Sequence, residues 1–457
     1  MSALSVTERL VAFAREWATR GVPDDVLHEA NRLLINQLKA SVGAVDHEAV
    51  RILHDWSTRN GAGNDAHVLW LGTGTSKAEA AAVNAALCEV LDFNDTYIPC
   101  FMHAVSGVLP AVLAVAETTE RSGRDVLSAL ALGIESELAC ASILMPTGYY
   151  RGFIPGGLTG AIGGAVACSL LDGLDETQMR NAIGLAMNTG MGVYQSAGYM
   201  ALPYVMAMAA RNGVVAYELA KLGMDAPRTV FEGDKGMLSS YSDEPAEKIE
   251  TVLAELGQGR WRIHGQTYKV VPTETITHAP IELIFQLRQR ARGRTVRRMV
   301  FGVAAVVVKI ADERRERFGV PNSELTAKFD LRHCAAAAWI REKFTLDEMK
   351  EGAYTDPRIL DLRSRIELVA DRSFETFNGA TLTVEFTDGS VETARIDNFR
   401  GTPGNPLSDE ELSRLFLTFS DGFITRARAE RILEEAWGLE RSASIHPLMQ
   451  LLTERAS

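Results

Sequence analysis

The sequence is poor in cysteine and contains neither of the short spacings that mark common zinc sites, CxxC and HExxH. Its cysteines are odd in number and scattered, mostly within apolar helical stretches: Cys88, Cys100, Cys140, Cys168 and Cys334. A disulfide-stabilised secreted domain would instead carry an even, closely spaced set. We therefore predict reduced, buried thiols, a cytoplasmic location and no metal ion.

The sequence also lacks an excess of positive charge and a long uncharged apolar run. It has 47 Lys and Arg against 59 Asp and Glu, a net charge of −12, whereas a nucleic-acid surface needs clustered basic residues. The apolar runs at residues 105–116 and 156–171 are too short to span a membrane comfortably. Residues 1–16 lack the basic and apolar segments of a signal peptide. We expect a protein that binds neither nucleic acid nor membrane, although a local basic pocket remains compatible with an anionic substrate.

The amino-acid composition and the predicted secondary structure change near Tyr268. Residues 5–265 read almost entirely as helices separated by Gly- and Pro-rich breaks. Beyond them, runs rich in β-branched residues predict strands at 295–310 (including Ala-Val-Val-Val at 305–308), at 366–369, and in a hairpin of 380–386 and 391–396. Helix returns after Pro406. The pattern predicts a mainly α fold, in which a large all-helical bundle domain of residues 1–266 plus 406–457 carries an inserted smaller α+β lid domain of residues 267–405.

The junction between two apolar helical runs concentrates polar residues. Leu-Asp-Phe-Asn-Asp-Thr at 91–96 ends the run at 78–91, and His103 lies just before the run at 108–116. Buried polar groups need partners or a ligand, and a carboxylate, a hydroxyl and an imidazole on one loop can bind and deprotonate a small acid. The alternative is a capped turn, because Asn94, Asp95 and Thr96 are all good N-cap and turn residues. The residues alone leave both interpretations open.

The order and spacing of several segments resemble the MmgE/PrpD family, which includes 2-methylcitrate dehydratases, cis-aconitate decarboxylases and iminodisuccinate epimerases. The matching segments are residues 91–96, 103, 108–111, 180–186, 209–213, 231–236, 268–269, 272, 277–278, 327–331 and 334–336. The resemblance implies a homodimer with an active site between the helical domain and the lid. It also implies a cofactor-independent lyase or isomerase, which removes a proton α to a carboxylate or carbonyl of a small carboxylic acid.

The resemblance also carries over a set of site residues. It places Asp92, Thr96, His103, Lys269 and His278 in the site, and we predict His103, Asp92 and Lys269 as the catalytic residues. The predicted substrate-binding residues are Thr96 and His278, Asp95 on the same loop, and four positions at which this chain departs from the family: His333, Glu274, Leu202 and Ile154. A histidine moves protons well near neutral pH, and a lysine can hold a carboxylate. The alternatives are a core histidine at 103, a solvated rim lysine at 269 and a helix-capping histidine at 278.

The sequence departs from the family at several basic positions. A Lys-x-x-His run becomes Leu202-Pro203-Tyr204-Val205, the histidine of a Gly-x-His-Pro motif becomes Ile154, a tyrosine becomes His333, and Glu274 appears beyond Pro272. Each unpaired buried carboxylate costs on the order of several kcal/mol, so this site is too poor in cations for cis-aconitate or 2-methylcitrate. We predict a less anionic, larger or more apolar substrate. The alternative is an inactive family member that binds a metabolite or a protein partner. A 2-methylcitrate dehydratase proper is disfavoured by the same charge deficit.

Overall fold

A computed structural model describes residues 4–291 and 293–455 and divides the chain into two compact units. The helical unit comprises Met1–Gln266 and Ser408–Ser457, and the sheet-containing unit comprises Thr267–Leu407. Helices dominate the described residues, and strands form a minor part, so the predicted mainly α class is confirmed.

The helical unit begins with a run of α-helices, and short strands lie between some of them. The helices are α1 (Val6–Arg20), α2 (Asp24–Val42), α3 (Glu48–Asn60), α4 (Lys77–Glu89), α5 (Val105–Ala116), α6 (Gly123–Leu144), α7 (Thr147–Tyr150), α8 (Pro155–Leu171), α9 (Glu176–Met187), α10 (Ala201–Lys221), α11 (Met237–Tyr241) and α12 (Glu247–Ala254). The strands are β1 (Ala66–His67), β2 (Gly74–Thr75) and β3 (Asp95–Thr96).

Small residues let the central helices of this unit approach closely. A Cβ added at Gly107 of α5 would lie 3.2 Å from the Cα of Gly160 on α8. A Cβ added at Gly133 of α6 would lie 2.6 Å from the carbonyl oxygen of Gly163, also on α8. A side chain at position 133 would clash with the α8 backbone, and one at position 107 would be tightly confined, so α8 packs closely against both α5 and α6.

One described helix, α6, is long and apolar enough to cross a membrane by length and composition. Most of it is enclosed by the protein, since 89% of its most apolar 18-residue window is buried. The core helices of soluble proteins can have the same length and composition.

The sheet-containing unit is built around one four-stranded sheet. Its elements are β4 (Thr267–Tyr268), α13 (His278–Ala291), β5 (Val296–Val303), α14 (Ala305–Phe318), α15 (Glu324–Ala327), α16 (Leu331–Arg341), α17 (Glu351–Tyr354), α18 (Pro357–Ser364), β6 (Ile366–Ala370), β7 (Ala380–Phe386) and β8 (Val391–Ile396). The strand order is β6-β5-β7-β8, with β5 parallel to β6 (Met299 opposite Ile366) and antiparallel to β7 (Met299 opposite Val384). The predicted hairpin is confirmed as the antiparallel pair β7 and β8.

One strand prediction in this unit is wrong. The strand β5 ends at Val303, and Ala-Val-Val-Val at 305–308 begins the helix α14 instead of extending the strand. The buried residues of α14 are Val307, Ile310, Ala311 and Arg314, which recur at helical spacing. Packing of this face outweighs the preference of valine for strands, which is a weak and context-dependent tendency.

The chain then returns to the helical unit through α19 (Asp409–Ser420), α20 (Arg426–Gly438) and α21 (His446–Thr453). The helix α19 packs against α2, where the Arg32 guanidinium pairs with the Asp409 carboxylate. The rings of His28 on α2 and Trp437 on α20 stack with centroids 5.8 Å apart.

Candidate active site

The polar junction begins with a sharp turn at the end of α4. Asp92 adopts the left-handed backbone conformation, with φ of 52°, and its N–H donates to the carbonyl of Glu89 at 2.9 Å. This conformation is uncommon for a residue other than glycine and costs on the order of 1 kcal/mol or more, so the surroundings must hold it in place. Both Glu89 and Asp92 are buried, and both present a carboxylate oxygen to His103.

Asp95 ties the two ends of the loop together. The residue preceding α5 is Ala104, whose side chain cannot accept a hydrogen bond, and the Asp95 carboxylate takes over the capping role. Its Oδ2 accepts from the backbone N–H groups of Ala104 (3.1 Å) and Val105 (3.4 Å), and its Oδ1 accepts from Gln37 Nε2 (2.6 Å). A negative charge at a helix N-terminus is favourable. Asp95 thereby fixes where His103 lies relative to β3.

The ring of His103 is held in one orientation. Its Nδ1 lies 2.5 Å from the backbone carbonyl oxygen of Asp95 and 3.3 Å from Thr96 Oγ1. A carbonyl only accepts, so Nδ1 carries the proton, and Nε2 is left for proton exchange. That Nε2 lies 3.5 Å from Asp92 Oδ1 and 4.0 Å from Glu89 Oε1. The backbone bond is the one expected of a core histidine, yet the side chain is 24% exposed, which leaves it accessible for chemistry.

Two buried acids near this loop resist ionisation. Burial raises the pKa of Asp95 to about 6, although the nearby His103 and the backbone N–H of Val105 act in the opposite direction. Burial, with a further contribution from the charge of Asp95, holds the pKa of Glu137 on α6 well above its ordinary range. The Glu137 carboxylate accepts a hydrogen bond from Thr159 on α8 at 3.4 Å. The buried carboxyl groups of Asp95 and Glu137 are therefore protonated at mildly acidic pH.

Two of the positions where basic residues are missing lie together. The backbone N–H of Ile154 donates to the carbonyl of Gly192 at 3.1 Å, and Ile154 is buried. A Cβ added at Gly192 or at Gly157 would lie 2.5 Å from Cγ1 of Val205 on α10. Ile154 and Val205 therefore both contact the segment around Gly192, and their side chains make the surface there apolar.

The apolar surface formed by Ile154 and Val205 adjoins the loop that carries His103. A Cβ added at Gly156, in the first turn of α8, would lie 2.9 Å from Cε of Met206 and 3.5 Å from the backbone oxygen of His103. Leu202, the third such position, is half-buried on the same helix as Met206. Residues far apart in sequence are in this way assembled around one loop of the helical unit.

The remaining predicted site residues belong to the sheet-containing unit. Lys269 is fully buried, so its interpretation as a solvated rim lysine is wrong. His278 is the first residue of α13, is buried, stacks on Phe399 with ring centroids 5.2 Å apart, and donates from Nε2 to the carbonyl of Thr273 at 3.3 Å.

His333 and Glu274 have partners within this unit. The Nε2 of His333, which is fully buried, donates to the backbone oxygen of Glu348 at 2.9 Å, and burial lowers the pKa of the ring. The Glu274 carboxylate pairs with the guanidinium of Arg314. Part of the hydrogen-bonding and charge-pairing capacity of both side chains is therefore used inside the protein.

Sequence reasoning missed Glu89 as a member of this group. Its Oε2 accepts from Asn94 Nδ2 at 2.6 Å, and the same nitrogen donates to Ser106 Oγ at 2.6 Å. The available signal was a glutamate three residues before Asp92 at the end of a largely apolar helix, because a charge placed there needs a partner.

Comparison with known proteins places this chain in a family. The model of the MmgE/PrpD N-terminal domain matches residues 8–250, and that of the MmgE/PrpD C-terminal domain matches residues 271–439. Cis-aconitate decarboxylase of Aspergillus terreus is 25% identical over 477 residues, covering 98% of this chain and 96% of the relative. Cis-aconitate decarboxylase of Homo sapiens is 24% identical over 464 residues, covering 98% and 94%. These relatives are lyases, in agreement with the enzyme class predicted from the sequence, and the chain belongs to the MmgE/PrpD family.

Proposed function

We propose that this protein is a cofactor-independent lyase or isomerase that acts on a small carboxylic acid by proton transfer at Nε2 of His103. The observation that carries the proposal is the fixed ring: Nδ1 is engaged by the backbone oxygen of Asp95, and Nε2 faces the Asp92 carboxylate at 3.5 Å. A group that moves a proton must be held within hydrogen-bond reach of its task, and histidine is suited to exchange near neutral pH. The decarboxylase names of the relatives support decarboxylation or dehydration over epimerisation.

In the proposed reaction each residue has a separate task. His103 exchanges the proton at the carbon α to the carboxylate or carbonyl. Asp92 orients the imidazole, and the Thr96 hydroxyl, 3.3 Å from Nδ1, supports the same orientation. Lys269 binds a substrate carboxylate and stabilises the negative charge that develops when the bond at the α carbon breaks. None of these tasks needs a metal ion or an organic cofactor.

The proposed substrate is less anionic than cis-aconitate, the compound in the names of the relatives. Ile154 and Val205 make an apolar surface beside the histidine loop, where the family often has basic groups. A buried carboxylate without a cationic partner costs on the order of several kcal/mol. A substrate with fewer carboxylates, or with an apolar group facing this segment, avoids that cost.

The test is a thermal-shift and turnover screen of mono-, di- and tricarboxylates, hydroxy acids and amides, with cis-aconitate and 2-methylcitrate included. A bound acid raises stability with the logarithm of its excess over Kd, and a true substrate is then consumed by the wild type and spared by His103→Asn. Turnover of cis-aconitate or 2-methylcitrate at ~1 s⁻¹ or faster refutes the substrate proposal while leaving the lyase proposal intact. Stabilisation by an acid that neither protein consumes favours the alternative of an inactive, metabolite-binding family member.

We also propose a cytoplasmic homodimer formed through the helical unit. All five cysteines are free and buried, as expected in a reducing compartment. The helical unit exposes large apolar side chains close together in the sequence, including Tyr199 (54% exposed) and Tyr204 (42%), and a symmetric contact would cover such a surface.

A further inference from the structure

Four aromatic side chains of the helical unit form a cluster near the loop that carries His103. The ring centroid of Tyr149 lies 4.8 Å from that of Phe101 and 5.1 Å from that of Tyr194. Tyr150 meets the ring of Tyr149 edge to face, with centroids 5.8 Å apart. Phe101, Tyr149 and Tyr194 are half-buried, and Tyr150 is 60% exposed. Part of this aromatic cluster is therefore accessible to a ligand.

The backbone fixes where the Phe101 end of the aromatic cluster lies relative to His103. Phe101 is two residues before His103 and adopts the left-handed conformation, with φ of 53°. That conformation is unusual for a bulky residue, so the surrounding contacts must hold it in place. The N–H of Phe101 donates to the carbonyl of Ile98 at 3.1 Å, and the N–H of Tyr97 donates to the carbonyl of Met102 at 2.7 Å. The aromatic cluster therefore begins on the same closed turn that leads to the proposed proton-transfer residue.

The positions at which basic residues are missing adjoin the other end of the aromatic cluster. The N–H of Tyr194 donates to the carbonyl of Gly152 at 2.7 Å, and the N–H of Ile154 donates to the carbonyl of Gly192 at 3.1 Å. The two residues between these bonds pair as an antiparallel bridge. Tyr194 is thereby held beside the segment that carries Ile154. The rings therefore continue the apolar surface that Ile154 forms with Val205.

We propose that the aromatic cluster is the specificity subsite for an aromatic ring of the substrate, which is then a small carboxylic acid with an aryl group. The inference deepens the proposed function and rests on it. Aromatic rings prefer edge-to-face or offset contacts with centroids 4.5–7 Å apart, the kind of contact that Tyr149 makes with its neighbours. The neighbouring cation, Arg151, donates from Nε to the Asp243 carboxylate at 3.0 Å, so its charge is already paired.

The first experiment measures binding and needs no turnover. Isothermal titration calorimetry compares 3-phenylpropanoate, 3-cyclohexylpropanoate and propanoate. We expect the phenyl acid to bind the wild type ~10-fold or more tightly than propanoate, because its ring is removed from water. In Tyr149→Leu, the affinity for the phenyl acid relative to the cyclohexyl acid should fall by ~2- to 10-fold, the worth of one contact between rings. The two acids are similar in size, so this phenyl-to-cyclohexyl ratio isolates the aromatic contact.

Three further variants make the binding test specific. Tyr149→Phe keeps the ring and should keep the wild-type ratio. Tyr194→Leu should lower the ratio as Tyr149→Leu does, and it serves if Tyr149→Leu fails to fold. Trp56→Leu removes a ring that is 44% exposed on α3, outside the aromatic cluster, and should leave the ratio unchanged. An unchanged ratio in both tyrosine-to-leucine variants, or a phenyl acid that binds no more tightly than propanoate, overturns the inference.

A second copy of the chain is the competing occupant of these rings. Light scattering of Tyr149→Leu should give the same mass as the wild type, because the inference assigns the ring to the substrate. A variant with a smaller mass and the wild-type phenyl-to-cyclohexyl ratio would assign the aromatic cluster to a contact between subunits and overturn the inference.

The second experiment separates this inference from the proposed function. Among the acids that the turnover screen finds to be consumed, those with an aryl group should have a kcat/KM ~10-fold or more above that of their alkyl counterparts, and Tyr149→Leu should reduce this preference. Equal kcat/KM values for aryl and alkyl acids contradict the aromatic subsite and leave the lyase activity intact. If the wild type consumes no acid, the proposed function fails, and the calorimetry still decides whether the aromatic cluster binds a ring.

Discussion

Replacing Asp95 by asparagine should change how the free energy of unfolding depends on pH. In the folded protein burial raises the pKa of Asp95 to about 6, whereas the ordinary value is 3.8. A carboxyl group whose pKa is raised by folding contributes stability that is fully present below pH 3.8 and is lost as pH rises through about 6. At about 1.36 kcal/mol per pKa unit, this contribution is roughly 3 kcal/mol.

The structure accommodates the replacement through a rearrangement of Gln37, which leaves one of its side-chain atoms without a hydrogen-bond partner among the residues that the structure describes, as in the wild type. The side-chain oxygen of the introduced asparagine can accept from the N–H groups of Ala104 and Val105, as Asp95 Oδ2 does. The new amide nitrogen then faces Gln37. Within the described residues Gln37 Oε1 has no hydrogen-bond partner, so a rotation of its amide supplies the acceptor that the new N–H group needs. The main effect of the change is therefore the loss of a titrating, desolvated charge.

The assay is urea unfolding of the wild type and Asp95→Asn at several pH values from about 3.5 to 7.5. The stability of the variant relative to the wild type should rise by about 3 kcal/mol across this range, mostly between about pH 4 and 6. Asp55→Asn, which removes the same charge from an exposed position, should track the wild type. Parallel pH curves for the wild type and Asp95→Asn would show that the buried carboxyl does not titrate as argued.

Three further predictions concern catalysis and assembly. Replacing His103 by asparagine should lower kcat by ~10²-fold or more with little change in substrate binding, and near-normal turnover in steady-state kinetics would place the proton-transfer residue elsewhere. Replacing Lys269 by methionine should weaken binding of a carboxylate substrate in a thermal-shift titration and lower kcat as well if charge develops in the transition state, whereas unchanged binding would remove Lys269 from the anion site. Light scattering should give about twice the 49.8 kDa of one chain, and a monomer at working concentrations would exclude the proposed homodimer.

The sequence by itself determined most of the local structure. Ser5 and Ser122 each precede a helix and are followed three residues later by Glu8 and Asp125, and both pairs form capping boxes in the structure. The alternating strand at 380–386 and the turn that follows it specify the hairpin of β7 and β8. The loop that carries Asp92, Thr96 and His103 was also readable, because a run of polar residues between apolar helices is a local feature of the chain.

Only the tertiary structure decided what surrounds that loop. Gln37 and Asp95 are separated by 58 residues, and Glu137 joins them from α6, so their burial follows from how helices pack and not from any nearby pattern. The left-handed turn at Asp92 brings Glu89 to the same histidine, a conformation that local preferences disfavour. Val307 faces the interior on a helix although its neighbours in sequence favour a strand. In each case burial and long-range hydrogen bonds outweigh local preference, because their energies depend on partners that the folded chain alone brings together.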